Sequence, residues 1–292
     1  MDITLALGGG GAKGNSHIGV LRCLLREGFR IRAVAGTSFG GIVAAAFAAG
    51  FSPDEIEDRF SRVDQTNLYG RVAGDRPSLL GLAGVYKWLD DMFGAMTFAD
   101  LKIPCAMVAV DLDTGREVIL REGRVRDAIL ATIALPGIFP SYPLNGWNLI
   151  DGGVLNPVPV SVARSLAPDL PVVAVVLTPP IGSATSPLTI PLPPVLPKPL
   201  LERVAQFRLA QAAEVFLRSV EIGSRAVTEY RLAVDRPDVV IRPKVGHIQV
   251  LQRVDVRAVA RLGEEAAEAA LPELRRAVSL PARIRRLLGG RK

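Results

Sequence analysis

The chain has 292 residues, 49% of them apolar and 22% charged, with a net charge of +6 and a pI near 9.7. That is enough chain and apolar mass for one large α/β domain, and charges spread throughout the sequence exclude an integral membrane bundle. Two cysteines, Cys23 and Cys105, exclude a disulfide framework, and 5% aromatics with no aromatic-interleaved basic face argue against nucleic acid as a partner.

Ile3–Leu7 reads as a short buried strand running into the glycines 8–11 rather than as a leader, because no basic residue precedes it. Ser16–Arg26 carries Ile18, Leu21, Leu24 and Leu25 at helical spacing and ends at Gly28. Ile31–Ala35 is a second strand, and Ser38–Ala49 an alanine-rich buried helix. Ser52-Pro53-Asp54-Glu55 then starts another helix, with a cap, proline at the first position and acids in the first turn. Strand, helix, strand, helix at this spacing predicts βαβ units and an α/β fold with a mostly parallel sheet.

Residues 62–97 are irregular, apolar and glycine-interrupted, and read either as a cap over a pocket or as a packed surface excursion. Cys105–Val110 is a strand with 117–121 pairing beside it, Val125–Ile133 a helix, and Trp147–Ile150 an apolar run into Asp151-Gly152-Gly153. Val158–Leu166 is a helix, Val172–Leu177 a strand, and 178–199 a proline-rich loop that cannot form one helix. A long helix follows over 200–230, then the strand Val239–Ile241 and a helix over 255–279. The expected organisation is a single domain over 1–280 with a basic tail at 281–292, whose charge suits either a solvated end or an anionic lipid surface. The expected location is cytoplasmic, peripheral at a membrane.

Two motifs carry chemistry. Gly9, Gly11 and Gly14 match G-x-G-x-x-G, but the second strand lacks the acidic residue a dinucleotide fingerprint needs, and Lys13 precedes Gly14 rather than the Ser or Thr of a phosphate loop. A nucleotide-binding regulatory module remains the reading from another class. The same loop suits an oxyanion hole, which needs only N–H groups near a nucleophile. Gly36-Thr37-Ser38-Phe39-Gly40 matches G-x-S-x-G between a strand and a helix, the context of a nucleophile elbow; otherwise Ser38 is a helix cap. A serine nucleophile needs a base. His17 reads as a structural residue of its helix. His247 completes the chain order Ser38, Asp151, His247, yet only two strands precede the elbow. Asp151, with apolar residues before it and glycines after, reads as a buried base or as a simple turn residue.

Together these motifs resemble the patatin-like phospholipase family. Gly9-Gly10-Gly11-Ala12-Lys13-Gly14 resembles its oxyanion loop, Gly36 to Gly40 its elbow, and Asp151-Gly152-Gly153 its distant D-G-[G/A]. The segment 131–140 is similar to the one that precedes the family's aspartate, with Thr132 where serine is commoner, and Asn156-Pro157-Val158-Pro159 fits as well. The resemblance implies a three-layer α/β/α fold, acyl lipid or simple ester substrates, and a Ser38–Asp151 dyad with no histidine, cofactor or metal. It further implies an oxyanion held by the backbone N–H groups of Gly9, Gly10 and Gly11 with Phe39.

Overall fold

The computed structural model describes residues 1–70, 78–182 and 200–282, with the backbone alone at 200–214 and 216–218. The described strands form one sheet. Its centre is β1 (Asp2–Leu7), β2 (Arg30–Thr37), β3 (Cys105–Asp111), β7 (Val172–Val175) and β8 (Val239–Ile241), parallel in the order β3-β2-β1-β7-β8. Three antiparallel strands, β4 (Glu117–Leu120), β5 (Tyr142–Leu144) and β6 (Trp147–Asp151), extend the β3 edge.

Alternation along the strands divides the core in two. Ile3, Leu5 and Leu7 of β1 face a large cluster with Val173, Val175 and Met107. That cluster is roofed by α1 (Ser16–Arg26), α2 (Phe39–Ala48), α3 (Pro53–Ser61), α4 (Ala83–Phe93), α5 (Val125–Thr132) and α8 (Val256–Ala277). Ala6 faces the other way. Across the sheet Ala106, Ala35, Ala6 and Ala174 stand in one register row, and this low floor lets α6 (Val160–Leu166) pack onto the strands through Val160, Val162 and Ala163. Leu232 of α7 (Leu200–Asp235) joins the same smaller cluster. Helices therefore cover both faces of the sheet, the three-layer arrangement expected.

The structure departs from the sequence reading at three points. Residues 62–97 are not irregular throughout: Val85, Leu89, Met92 and Phe93 recur at helical spacing and are buried in α4. Strand β5 lies where no strand is expected. Helix α7 runs five residues beyond 230, to Asp235. The proline-rich loop beyond 182 and the tail beyond 282 lie outside the described residues.

Strand β3 is the ruler of the site. Its residues 105–108 pair with β2, ending at Thr37 opposite Val108. Its next residues, 109–111, pair with the antiparallel β6, beginning with Asp151 opposite Ala109. The end of β2 and the end of β6 are thus brought to one point from positions more than a hundred residues apart.

Candidate active site

Ser38 sits between β2 and α2 with φ 55° and ψ −128°, a strained backbone for a residue with a side chain. The turn closes only because Gly36 and Gly40 lack side chains: a Cβ on Gly36 would lie 2.4 Å from the Gly40 carbonyl oxygen, and one on Gly40 would lie 2.2 Å from that of Leu7. Two threonines pin the elbow. Thr37 Oγ1 donates to the Asn156 carbonyl at 2.8 Å. The Ser38 N–H donates to Thr132 Oγ1 at 2.9 Å, and that hydroxyl donates in turn to the Val108 carbonyl. Ser38 is the N-cap residue of α2, yet its hydroxyl makes no capping bond. It donates instead to Asp151 Oδ2 at 2.6 Å.

Asp151 is buried, and its two oxygens have separate partners: Oδ1 accepts the Gly153 N–H at 2.7 Å, while Oδ2 accepts Ser38. One oxygen thus closes a turn and the other meets the nucleophile elbow. Gly152 opens the short 3-10 turn Gly152–Val154. Burial raises the Asp151 pKa to about 6 from an ordinary 3.8, with the two hydrogen bonds opposing the rise.

The glycine loop lies beside the elbow. The imaginary Cβ of Gly9 approaches Ser38 Cβ at 3.1 Å, and that of Gly14 would collide with the Phe39 ring. The three loop N–H groups are not equivalent. That of Gly9 donates to the Pro157 carbonyl at 2.9 Å, so it is already satisfied. Those of Gly10 and Gly11 donate to no acceptor among the described residues. The Phe39 N–H, at the first position of α2, has no intrahelical acceptor either. Lys13 is buried and lies 3.7 Å from Glu221, which also accepts from Arg225 at 2.9 Å, so one carboxylate of α7 serves two buried cations.

Neither histidine lines the cavity that contains the nucleophile. His17 is buried, and its Nε2 lies 2.8 Å from the Gly8 carbonyl. Only an Nε2–H tautomer makes that bond, so His17 pins the start of the glycine loop, and burial lowers its pKa to about 4. His247 is exposed after β8 and does not line the cavity that contains Ser38.

That cavity has a volume of about 260 Å³. Ser38, Asp151 and the loop residues Gly9 to Lys13 stand in its wall. Its lining includes the apolar Phe39, Phe60, Leu82, Val85 and Trp88 and the polar Lys13, Glu221, Ser224, Gln252 and Thr178. Residues Leu68, Tyr69, Leu82, Val85 and Trp88 belong to 62–97, so that stretch supplies cavity wall. Thr132, the Pro157 carbonyl and Glu221 are the site features the sequence reading missed. Thr132 and Pro157 left a signal only as residues of family-like segments, Thr132 as a departure from the pattern and Pro157 as a match.

A family model for patatin-like phospholipases matches residues 5–164, more than half of the chain. An uncharacterized NTE family protein of Mycobacterium bovis is 36% identical over 171 residues, covering 58% of this chain and 47% of that protein. A second from the same organism is 31% identical over 279 residues, covering 92% of this chain and 46% of the relative. Patatin-like phospholipase domain-containing protein 7 of Rattus norvegicus is 29% identical over 171 residues, 56% of this chain and 13% of the relative. The chain therefore spans about half the length, or less, of these curated relatives. Among solved structures, VipD from Legionella pneumophila shares the fold with a TM-score of 0.50 at 12% identity, over 93% of this chain and 66% of that one.

Proposed function

The chain belongs to the patatin-like phospholipase family, and from that premise we propose that it hydrolyses carboxylic esters of acyl lipids with Ser38 as nucleophile and Asp151 as its base. The observation that carries this is the 2.6 Å hydrogen bond from Ser38 Oγ to Asp151 Oδ2 at the elbow, with no histidine lining the cavity.

Ser38 Oγ attacks the ester carbonyl while Asp151 takes its proton. The negative charge that develops on the carbonyl oxygen meets the N–H groups of Gly10 and Gly11, with Phe39 at the positive end of α2. Gly9 is left to fix the loop through Pro157. Collapse of the tetrahedral intermediate breaks the carbon–oxygen bond of the ester. Asp151 returns the proton to the departing alkoxide. Asp151 then deprotonates a water, whose oxygen attacks the acyl-enzyme; the acid leaves and Ser38 regains its proton. The raised pKa suits both directions of this transfer, since a carboxylate near pKa 6 is a stronger base than an ordinary one and still ionised at neutral pH.

Residues 1–280 act as one catalytic domain in this reading, with 62–97 as a cap. The lipid enters along α7, which turns Val220, Glu221 and Ser224 to the cavity and exposes Ile222, Tyr230 and Val234 outward. A transient contact with a lipid surface at that helix is part of the proposal. No helix of the described residues is long and apolar enough to cross a membrane.

The test is hydrolysis of p-nitrophenyl butyrate by wild type, Ser38→Ala, Asp151→Asn and His247→Ala. Ser38→Ala and Asp151→Asn are expected to lose roughly a thousandfold or more in kcat/KM, and His247→Ala to keep wild-type turnover. Wild-type activity in Ser38→Ala refutes the dyad.

A further inference from the structure

Three rings of the cavity wall form a chain of contacts that starts beside the nucleophile. Phe39 directly follows Ser38. Its ring meets Phe60 edge-on, with centroids 5.7 Å apart and planes at 86°. Phe60 in turn meets Trp88 at 5.1 Å and 73°. All three line the cavity. Phe60 is almost fully buried near the end of α3, and Trp88 stands one helical turn after Val85 on α4, so the two rings come from different helices and close against each other.

Trp88 also bounds a second cavity, of about 360 Å³. Its other lining is Glu55, Asp58, Arg59, Arg62, Asp91 and Met92, five of them charged. One indole therefore has an apolar chamber containing Ser38 on one side and a charged cleft on the other. A hydrocarbon gains by leaving water for the first and gains nothing comparable in the second.

We propose that Phe60 and Trp88 are the closed end of the acyl site and set the longest chain it accepts, with Trp88 as the partition between that site and the charged cleft. The inference rests on the reading that this cavity takes the acyl chain of the substrate. Up to the partition each added methylene is buried and strengthens binding about fourfold. Beyond it, a longer chain must displace the indole or fold back, and the gain stops.

Two experiments test this. In the first, kcat/KM is measured for p-nitrophenyl esters from C4 to C16 with wild type, Phe60→Leu, Trp88→Phe and Trp88→Leu. Wild type is expected to climb and then level off or fall. With each profile normalised to that variant's own C4 rate, the two leucine variants are expected to move that break by two carbons or more, with Trp88→Phe between. An unchanged break in both leucine variants, with folding verified by circular dichroism, overturns the proposal. The second experiment does not depend on hydrolysis. The chain has two tryptophans, Trp88 and Trp147, so Trp147→Phe leaves Trp88 as the only indole. Fatty acids from C4 to C16 are titrated into Ser38→Ala,Trp147→Phe protein and the emission is followed. The expected response is absent for the shortest chains and appears when the chain reaches the indole, at the length where the wild-type profile breaks. Emission unaffected at every length overturns the proposal. An emission response from protein whose Ser38→Ala variant hydrolyses as fast as wild type preserves the acyl site and sinks the dyad instead.

Discussion

Ser38 and Thr132 are joined through the backbone: the Ser38 N–H donates to Thr132 Oγ1 at 2.9 Å, and the same hydroxyl donates onward to the Val108 carbonyl on β3. A residue held at φ 55° costs about 1–3 kcal/mol relative to an ordinary conformation. The threonine helps offset that cost by supplying the acceptor that the elbow's N–H needs, and it ties the elbow to the strand that also aligns Asp151.

Thr132→Val keeps the volume and deletes the hydroxyl. The Ser38 N–H and one acceptor site of Val108 then lack a partner in a buried place, which costs about 1–3 kcal/mol. The expected result is a lower melting temperature together with at least a tenfold loss of kcat on a short ester. Thr132→Ser restores both bonds and is expected to keep kcat within threefold. Equal kcat in the valine and serine variants assigns Thr132 to packing alone.

The pH dependence of activity follows from Asp151. The base must be ionised, and burial places its pKa near 6. Below that pH, kcat/KM is expected to fall tenfold per unit; above it, to level off. His17 contributes no limb near neutrality, since it is neutral above about pH 4 and points at Gly8. Initial rates on p-nitrophenyl butyrate from pH 4.5 to 8.5 check this. A flat profile across pH 5–7 removes Asp151 from the proton transfer.

Much of the site was legible because its chemistry is local. G-x-S-x-G between a strand and a helix describes a backbone geometry, and the glycines around Ser38 are where carbonyl oxygens approach within 2.6 Å of an imaginary Cβ. Asp151 was legible as a residue, but its meeting with Ser38 was not, because the register of β6 on β3 is set by pairing across distant segments. The same holds for Gly9. The loop motif counts three N–H donors, whereas the Pro157 carbonyl, 148 positions away, occupies one. Helix α4 was hidden for a different reason. Glycines 81 and 94 flank it and Gly84 sits in its first turn, and its buried residues Val85, Leu89, Met92 and Phe93 give a period only once the glycines are set aside. The ion pair of Lys13 with Glu221 joins a loop to a helix of 36 residues whose sequence alone does not say which turn reaches the site.

That ion pair carries a stability prediction. Lys13 is buried enough that desolvation lowers its pKa while Glu221 opposes the fall. Glu221→Gln removes the carboxylate shared by Lys13 and Arg225 and leaves two buried cations without an ion-pair partner among the described residues, an arrangement that costs about 3–5 kcal/mol. The urea midpoint of this variant is expected to fall well below that of wild type, while Glu229→Gln, at a more open pair with Arg242, is expected to cost under about 1 kcal/mol. Equal midpoints for the two variants remove Lys13 from the buried-charge account.

Asp151 and His17 oppose each other in the acid range. The folded pKa of Asp151 lies above its unfolded value, so its neutral form favours the fold: its contribution is present below about pH 4 and is lost as pH rises through about 6. The folded pKa of His17 lies below the ordinary 6.5, so its contribution is present above pH 6.5 and is lost as pH falls through about 4. Between pH 4 and 6 the two slopes have opposite sign, and each spans roughly 3 kcal/mol at about 1.4 kcal/mol per pKa unit. Together they nearly cancel. Single variants expose them. Asp151→Asn is expected to gain about 1–3 kcal/mol over wild type at pH 7.5 and to lose that advantage steadily as the pH falls to 4. His17→Leu is expected to be destabilised at pH 7.5, because the Gly8 carbonyl loses its donor, and to recover ground on wild type as the pH falls. Urea midpoints of the three proteins at pH 4, 5, 6 and 7.5 measure this. Parallel pH profiles for all three deny that either group is held at a displaced pKa by burial, and with that displacement goes the physical basis for Asp151 acting as a base near neutrality.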